Sequence, residues 1–559
     1  MRTAIRKCAL TVLMLYLISV LAGCGLGNLP DLLEHNLDRD TESEDEQKEK
    51  PVPVRGGELI IPIPVPDTLN PLLTRSRDMI NFFGLIYEGL FEYDQNMKPR
   101  PCLVESWEVE EEGRLWRFHL RKGVKFHDGS LLTGEDVVFS FIVLQQGNLD
   151  SFFQKGLASN DNIQKIEVDL FDVHTVNVYL ETPINNMPDI MTFPILPKKI
   201  YQSDVYMMER KDDMNFIPIG TGPYRVSEML LEDGQIKLER NNDWWGKRPY
   251  IYSILARVYQ DEMQIKQAFR SGEVDLIDIT SAVTDPYSLD DDTKNYRYLT
   301  RSYECLAFNL EHPILGDIAV RKAIAYALNR KDIIFKVYLN NAEATDVPIP
   351  SDSWLYDGAS RIYDFEREKA IKLLDEAGWI DLNDDGIRDK IIDSDTVELK
   401  FTILTNEDNS MRKDVAELIA QQLRQVGIAV QSMTVPWEEF ETILLDGDFD
   451  AVLTGYYLDM FPDFQFMFHS KAIGNGLNNF IRYRDEELDR LIDEAAVLYD
   501  HDRLAESYSR IQRRLVDQLP LISLYFQTAS LLTNNRVHGV EAPRELNIFR
   551  NIEEWYLQP

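Results

Sequence analysis

Cysteine is scarce in this chain, with four among 559 residues. Cys8 and Cys24 lie near the N-terminal end, which leaves Cys102 and Cys305 in the body, too few for a disulfide scaffold. Both sit in apolar, strand-like contexts (PCLVESW and ECLAFNL) and are expected as buried free thiols. Histidine is sparse too: eight residues, dispersed without ligand spacing. Basic charge is in deficit, since 59 Lys and Arg stand against 94 Asp and Glu for a net charge of -35. Such a surface repels nucleic acid and anionic membrane, so neither is an expected partner. There is no HExxH, P-loop or GxSxG motif and no Cys–His arrangement, so no enzyme is expected. Past the first residues no apolar run approaches the roughly 20 residues that span a bilayer.

What is present begins at the N-terminal end. Arg2, Arg6 and Lys7 precede an uncharged apolar run from Cys8 to Ala22. That run suits the core of a secretory signal over residues 1–23, with small residues at the cleavage point. The tetrad Leu21-Ala22-Gly23-Cys24 resembles the bacterial lipobox, which implies acylation of Cys24 as the first mature residue. Residues 24–55 then read as an acidic tether. The run DRDTESEDEQKEK from Asp38 to Lys50 holds no aliphatic or aromatic residue and is expected to be disordered and extended by its charge. The expected location is the extracellular or periplasmic face of the cell membrane, held by lipid.

The body, of roughly 500 residues, exceeds what one hydrophobic core usually supports, so two or three domains are expected. Leu115 to Val124 alternates as a strand, Asp128-Gly129 turns, and Thr133 with Asp136 has the spacing of a capping box. Asp317 can cap a helix carrying Val320, Ala323, Ile324, Ala327 and Leu328 on one face. Another helix places Ala370, Leu373, Leu374 and Ala377 together and stops at Gly378. Leu399, Phe401 and Ile403 alternate on a strand. A helix follows with Val415, Leu418, Ile419, Leu423 and Val426 inward, and after Gly427 a strand starts at Ile428. That is a βαβ unit, hence a parallel pair. A further strand, Phe449 to Tyr457, runs into LDMFPDFQFMF; ligands of open α/β sheets sit beyond the carboxyl ends of strands, which makes this loop the first candidate site.

From Leu103 to Ser140 the chain reads LVESWEVEEEGRLWRFHLRKGVKFHDGSLLTGEDVVFS. With Tyr87-Glu88-Gly89-Leu90, Gly220-Thr221-Gly222-Pro223-Tyr224, Trp244-Trp245, Gly272-Glu273-Val274-Asp275 and Val320-Arg321-Lys322-Ala323-Ile324, this resembles the family 5 extracellular solute-binding proteins, which include oligopeptide and dipeptide receptors of ABC importers. The resemblance implies an α/β, periplasmic-binding-protein-like fold (class II, cluster C): a two-lobed flytrap with an extra domain. Its three domains would run in discontinuous order, with domain I at 56–91, 219–303 and 525–559, domain II at 92–218, and domain III at 304–524. Hinges would lie near Arg301–Asn309 and Leu521–Gln527. It implies a monomer that passes a peptide to permease subunits. A non-peptide solute such as an oligosaccharide or nickel chelate, or a signalling role without import, remains an alternative within the same fold.

By the same resemblance, Asp459 would hold the ligand's free amine, a cation at neutral pH that needs a carboxylate once enclosed. Asp463 is the alternative carboxylate, though its position also suits capping of the next segment. Ligand backbone would be gripped as an added strand by Gly455-Tyr456-Tyr457 and by Arg75-Ser76-Arg77. Arg75 and Arg77 could instead meet a ligand carboxylate or be solvated. Phe461, with Phe464 and Phe466, would supply apolar wall. Trp244 and Trp245 are expected to pack their turn rather than touch ligand. Asp381, Asn383, Asp385 and Asp389 have the spacing of the first half of a calcium loop, but Ile392 stands where an acidic residue is needed; Ca²⁺ is the only cofactor the sequence suggests.

Overall fold

A computed structural model describes residues 52–146, 152–153, 162–202, 216–280, 292–474 and 478–558. The signal, Cys24 and the acidic run lie outside the described residues. Among those described, no helix is long and apolar enough to cross a membrane.

The chain builds two lobes around separate cores. The first holds two four-stranded sheets. One orders its strands Glu58–Pro64, Ser253–Tyr259, Gln235–Arg240 and Tyr224–Leu230, with only the first pair parallel. The other is antiparallel, in the order Val104–Glu110, Leu115–Leu120, Thr175–Leu180 and Ile163–Val168. Leu59, Ile61, Phe82, Trp116, Phe118, Val176, Leu238 and Trp555 belong to one continuous apolar core beneath both sheets. The alternation expected at Leu115 holds up to Leu120. Thr133 donates its backbone N–H to Asp136 Oδ2 at 2.9 Å, so the capping spacing opens helix Gly134–Gln146.

A mixed sheet runs from the first lobe into the second in the order Leu276–Ile279, Leu521–Asn534, Thr293–Phe308, Ala451–Tyr457, Lys400–Asn406 and Ala429–Val435, its first strand packed on the first-lobe side. The expected parallel pair is present: Lys400–Asn406 lies parallel to Ala429–Val435, with helix Ser410–Arg424 between them in sequence. Asp317 caps helix Ile318–Ala327 by accepting from Ala319 N at 2.9 Å, and the five apolar residues expected on its inner face are buried. Cys305 is buried in this core and Cys102 in the other, and both are free thiols.

Two long antiparallel strands join the lobes. Tyr298, Ala529 and Leu531 lie in the first core; Tyr303, Leu306, Ile522 and Phe526, on the same strands, lie in the second. Where the strands pass from one core to the other the register slips. Leu299 pairs with Thr528, and the next pair is Tyr303 with Phe526. Thr300–Ser302 therefore bulges opposite Gln527. A bulge bends and twists a ladder, and this one coincides with the joint between the lobes.

Candidate functional site

The strand Ala451–Tyr457 is paired along its whole length with Thr293–Phe308 on one side. On the other it meets Lys400–Asn406 only at Ala451 and Val452. From Thr454 to Tyr457 that second edge has no strand partner among the described residues, the condition an added strand requires. Gly455 lies on this stretch, and its lack of a side chain has a definite cause. A Cβ there would come within 2.5 Å of Arg412 Nη2 and 2.6 Å of Glu304 Oε1. Those two form a bidentate buried ion pair, with Arg412 Nε and Nη2 donating to Glu304 at 2.8 and 2.9 Å.

Beyond the strand, Leu458 N donates to Arg301 O at 3.0 Å and ties the turn to the bulge. Asp459 follows, exposed, in the wall of a cavity of about 750 Å³ to which both lobes contribute. That volume is typical of a ligand pocket. Among the described residues Asp459 has no hydrogen bond and no cationic partner. Asp463 lines the same wall but is engaged: its Oδ1 accepts from Gln465 N at 2.7 Å, at the start of the short helix Gln465–Phe468. Desolvation, and then the like charge of Asp459, hold its carboxyl above the ordinary value. Phe461 and Phe464 line the cavity and pack on Tyr508, with ring centroids 5.8 and 5.4 Å away. Phe466 and Tyr456 pair edge to face at 5.9 Å and do not line it.

Tyr457 lies between this cavity and a second one. Its hydroxyl donates to Glu545 Oε1 at 2.7 Å, and the Arg301 guanidinium lies 4.2 Å from its ring centroid. Arg301, only 2% exposed, also lies 4.9 Å from the Phe152 ring and donates its backbone N–H to Glu545 Oε2 at 2.6 Å. Tyr457 as a whole is 53% exposed, but desolvation around its hydroxyl pushes that group up to about 12. The second cavity, of about 420 Å³, is lined by Arg75, Arg77, Thr280, Thr300, Ser302 and Gln527 among others.

The two arginines part company here. Ser76 caps helix Arg77–Phe83, accepting from Met79 N at 3.3 Å, so Arg77 is helical and not part of an extended grip. Its guanidinium pairs with the buried Asp278, to which Tyr298 also donates at 2.7 Å. That removes it as a freely solvated cation and as a simple receiver of a ligand carboxylate. Arg75 is exposed, and its backbone N–H donates to Asp67 Oδ2 at 2.8 Å.

The opposite wall of the main cavity holds a group that sequence reasoning missed. Glu88 accepts from Thr221 Oγ1 at 2.7 Å, from Trp244 Nε1 at 3.1 Å and from Trp245 Nε1 at 3.0 Å. Three motifs, recognised separately along the chain, converge on one carboxylate. Trp244 does pack its turn, its ring lying against Gly246, but both indoles also line the cavity. Desolvation raises Glu88 to about 7, and does the same to Asp189, which bonds Tyr93 on the same wall. The only sequence signal for this cluster was the presence of the motifs; their spacing says nothing of convergence.

In the calcium-like loop each of the four side chains accepts a backbone N–H. Asp381 accepts from Gly386 N at 2.9 Å, Asn383 from Asp385 N at 3.1 Å, Asp385 from Ile387 N at 2.7 Å and Asp389 from Leu382 N at 3.1 Å. Among the described residues no group of three or more His, Cys, Asp or Glu is placed to hold a metal ion.

Comparison with known proteins places this geometry. The family model described as bacterial extracellular solute-binding proteins, family 5 (middle) matches residues 98–477. The oligopeptide-binding protein AppA of Bacillus subtilis is 29% identical over 518 residues, covering 90% of this chain and 92% of its own. Its structure in complex with a nonapeptide superposes with a TM-score of 0.61 over 91% of this chain and 100% of that one, at 27% identity. The dipeptide-binding protein of Escherichia coli is 26% identical over 512 residues, covering 87% of this chain and 92% of its own. HbpA2 of Haemophilus parasuis shares the fold with a TM-score of 0.77 at 23% identity, over 90% and 100% of the two chains.

Proposed function

The chain belongs to the bacterial extracellular solute-binding proteins, family 5, and on that footing we propose that it captures peptides with a free N-terminal amine and delivers them to the permease of an ABC importer. The role is binding rather than catalysis. The observation that carries the peptide reading is Asp459: a carboxylate in the cleft wall, beyond an open strand edge, with no cationic partner among the described residues. A ligand ammonium supplies that partner, and the open edge from Thr454 to Tyr457 takes ligand backbone regardless of its side chains. The oligopeptide and dipeptide receptors among the relatives support the same reading. Cys24 would carry the lipid that holds the receptor at the extracellular or periplasmic face of the cell membrane, with residues 24–55 as spacer.

Calorimetric titration tests it. A free-amine tripeptide binds, its N-acetylated form binds far more weakly, and Asp459→Ala costs the free-amine peptide about 2 kcal/mol or more, roughly 30-fold. Equal affinity of wild type and Asp459→Ala for that peptide removes the amine contact. A sugar or metal chelate that raises Tm where no peptide does replaces the peptide reading.

A further inference from the structure

The two cavities share a wall. Ile80, Phe152, Glu545 and Leu546 line both. Arg301 faces the main cavity and Tyr457 the side cavity, and the two are stacked on each other. The wall is held at the Glu545 carboxylate: the Tyr457 hydroxyl and the Arg301 backbone N–H donate to its two oxygens, and the Arg301 and Arg77 guanidinium groups form ion pairs with it at 3.8 and 3.9 Å. It spans the lobes: Tyr457 ends a strand of the second, while Glu545 belongs to the C-terminal segment beside the first-lobe core residues Ile548 and Phe549.

Its position relative to Asp459 gives it a consequence. Tyr457 and Asp459 are two residues apart, so an extended ligand anchored at Asp459 covers the separation within about 7 Å, or about two residues at 3.3 Å each. The side cavity also has groups that suit a carboxylate. The main cavity is lined by groups of both signs, Asp459 and Asp463 but also Arg100, Arg121 and Lys247; the side one has Arg75 and the Asp278-paired Arg77 beside Glu545, with Thr280, Thr300 and Ser302 as further polar groups.

We propose that the stacked pair Arg301–Tyr457, latched to Glu545, is a length-selecting gate: the shortest peptides, held at Asp459 alone, stay within the main cavity, and longer ones open the latch, pair with the open edge at Tyr457 and place their carboxylate end in the side cavity beside Arg75. This rests on the peptide reading with the amine at Asp459. Opening the latch leaves Glu545 without one of its donors, so longer ligands bind against a cost that short ligands do not meet.

The test is a ladder of free-amine alanine–serine peptides from dipeptide to octapeptide, titrated into the full chain in detergent. In wild type the affinity changes slope at the length that reaches the gate. Tyr457→Phe, which removes only the hydroxyl, raises the ratio of long-peptide to short-peptide affinity by about tenfold. In wild type, amidation of the peptide C-terminus weakens only peptides beyond the break. An unchanged ratio in Tyr457→Phe, or an amidation effect alike at every length, overturns the gate while leaving the peptide reading intact. If no peptide of any length binds wild type, the peptide reading itself fails.

Discussion

The two walls of the main cavity carry their carboxylates in opposite states. On the first-lobe wall Glu88 accepts from a threonine hydroxyl and two indoles, all from its own chain. On the second-lobe wall Asp459 has no such partner among the described residues, while the ion pair beneath its strand, Glu304 with Arg412, is fully satisfied. A carboxylate that already holds its donors braces the wall; one that does not is available to a ligand. The difference predicts that stability and binding separate cleanly when the groups are changed one at a time.

The largest effect belongs to the brace under Asp459. Arg412→Met leaves Glu304, 4% exposed, as a buried charge without its partner. The expected loss is about 3–5 kcal/mol in denaturant unfolding. A loss below 1 kcal/mol would mean the second-lobe wall does not depend on that pair, and the contrast between bracing and ligand-facing groups would lose half its support. Next comes Glu88→Ala, which strands the Thr221 hydroxyl and both indole N–H groups facing the cavity. Here about 2–3 kcal/mol is expected, again by denaturant unfolding.

Glu88 also sharpens the contrast through pH. Its folded value is raised to about 7, against about 4.3 in an unfolded chain. The native state therefore holds a proton that the unfolded state releases, and its contribution to stability falls as pH rises through that window. Glu88→Gln cannot titrate. Its deficit relative to wild type is largest below about pH 4 and shrinks by about 2 kcal/mol between pH 5 and pH 8. Parallel pH profiles for the two proteins would show that Glu88 is ionised throughout.

How much of this was legible beforehand follows from the range of the interactions. Local periodicity located Leu115–Leu120, the helix capped by Asp317 and the parallel pair around Ser410–Arg424, because those patterns are set by residues a few positions apart. Family resemblance pointed to Asp459 and to a two-lobed fold. Neither could find Glu88, whose donors lie 133, 156 and 157 positions away. Neither could find the contact of Arg301 with Glu545, 244 positions apart, or the register slip at Thr300–Ser302, which exists only once two distant strands are paired. Arg77 misled for the opposite reason. Its neighbour Ser76 caps a helix that starts at Arg77, a local signal the family resemblance does not use.

The smallest stability effect is the most informative about function. Asp459→Asn removes an exposed charge that holds nothing in its own protein, so unfolding free energy should stay within about 0.5 kcal/mol of wild type. Asp463 points the same way: without the like charge of Asp459, its raised carboxyl moves back towards its ordinary value. The asparagine keeps size and hydrogen-bonding capacity but offers an ammonium no charge, so affinity for a free-amine peptide drops while the N-acetylated form is bound no worse than by wild type. A variant that unfolds more easily and still binds free-amine peptides normally would reverse the assignment, making Asp459 a bracing group like Glu88 and leaving the open strand edge to account for capture alone.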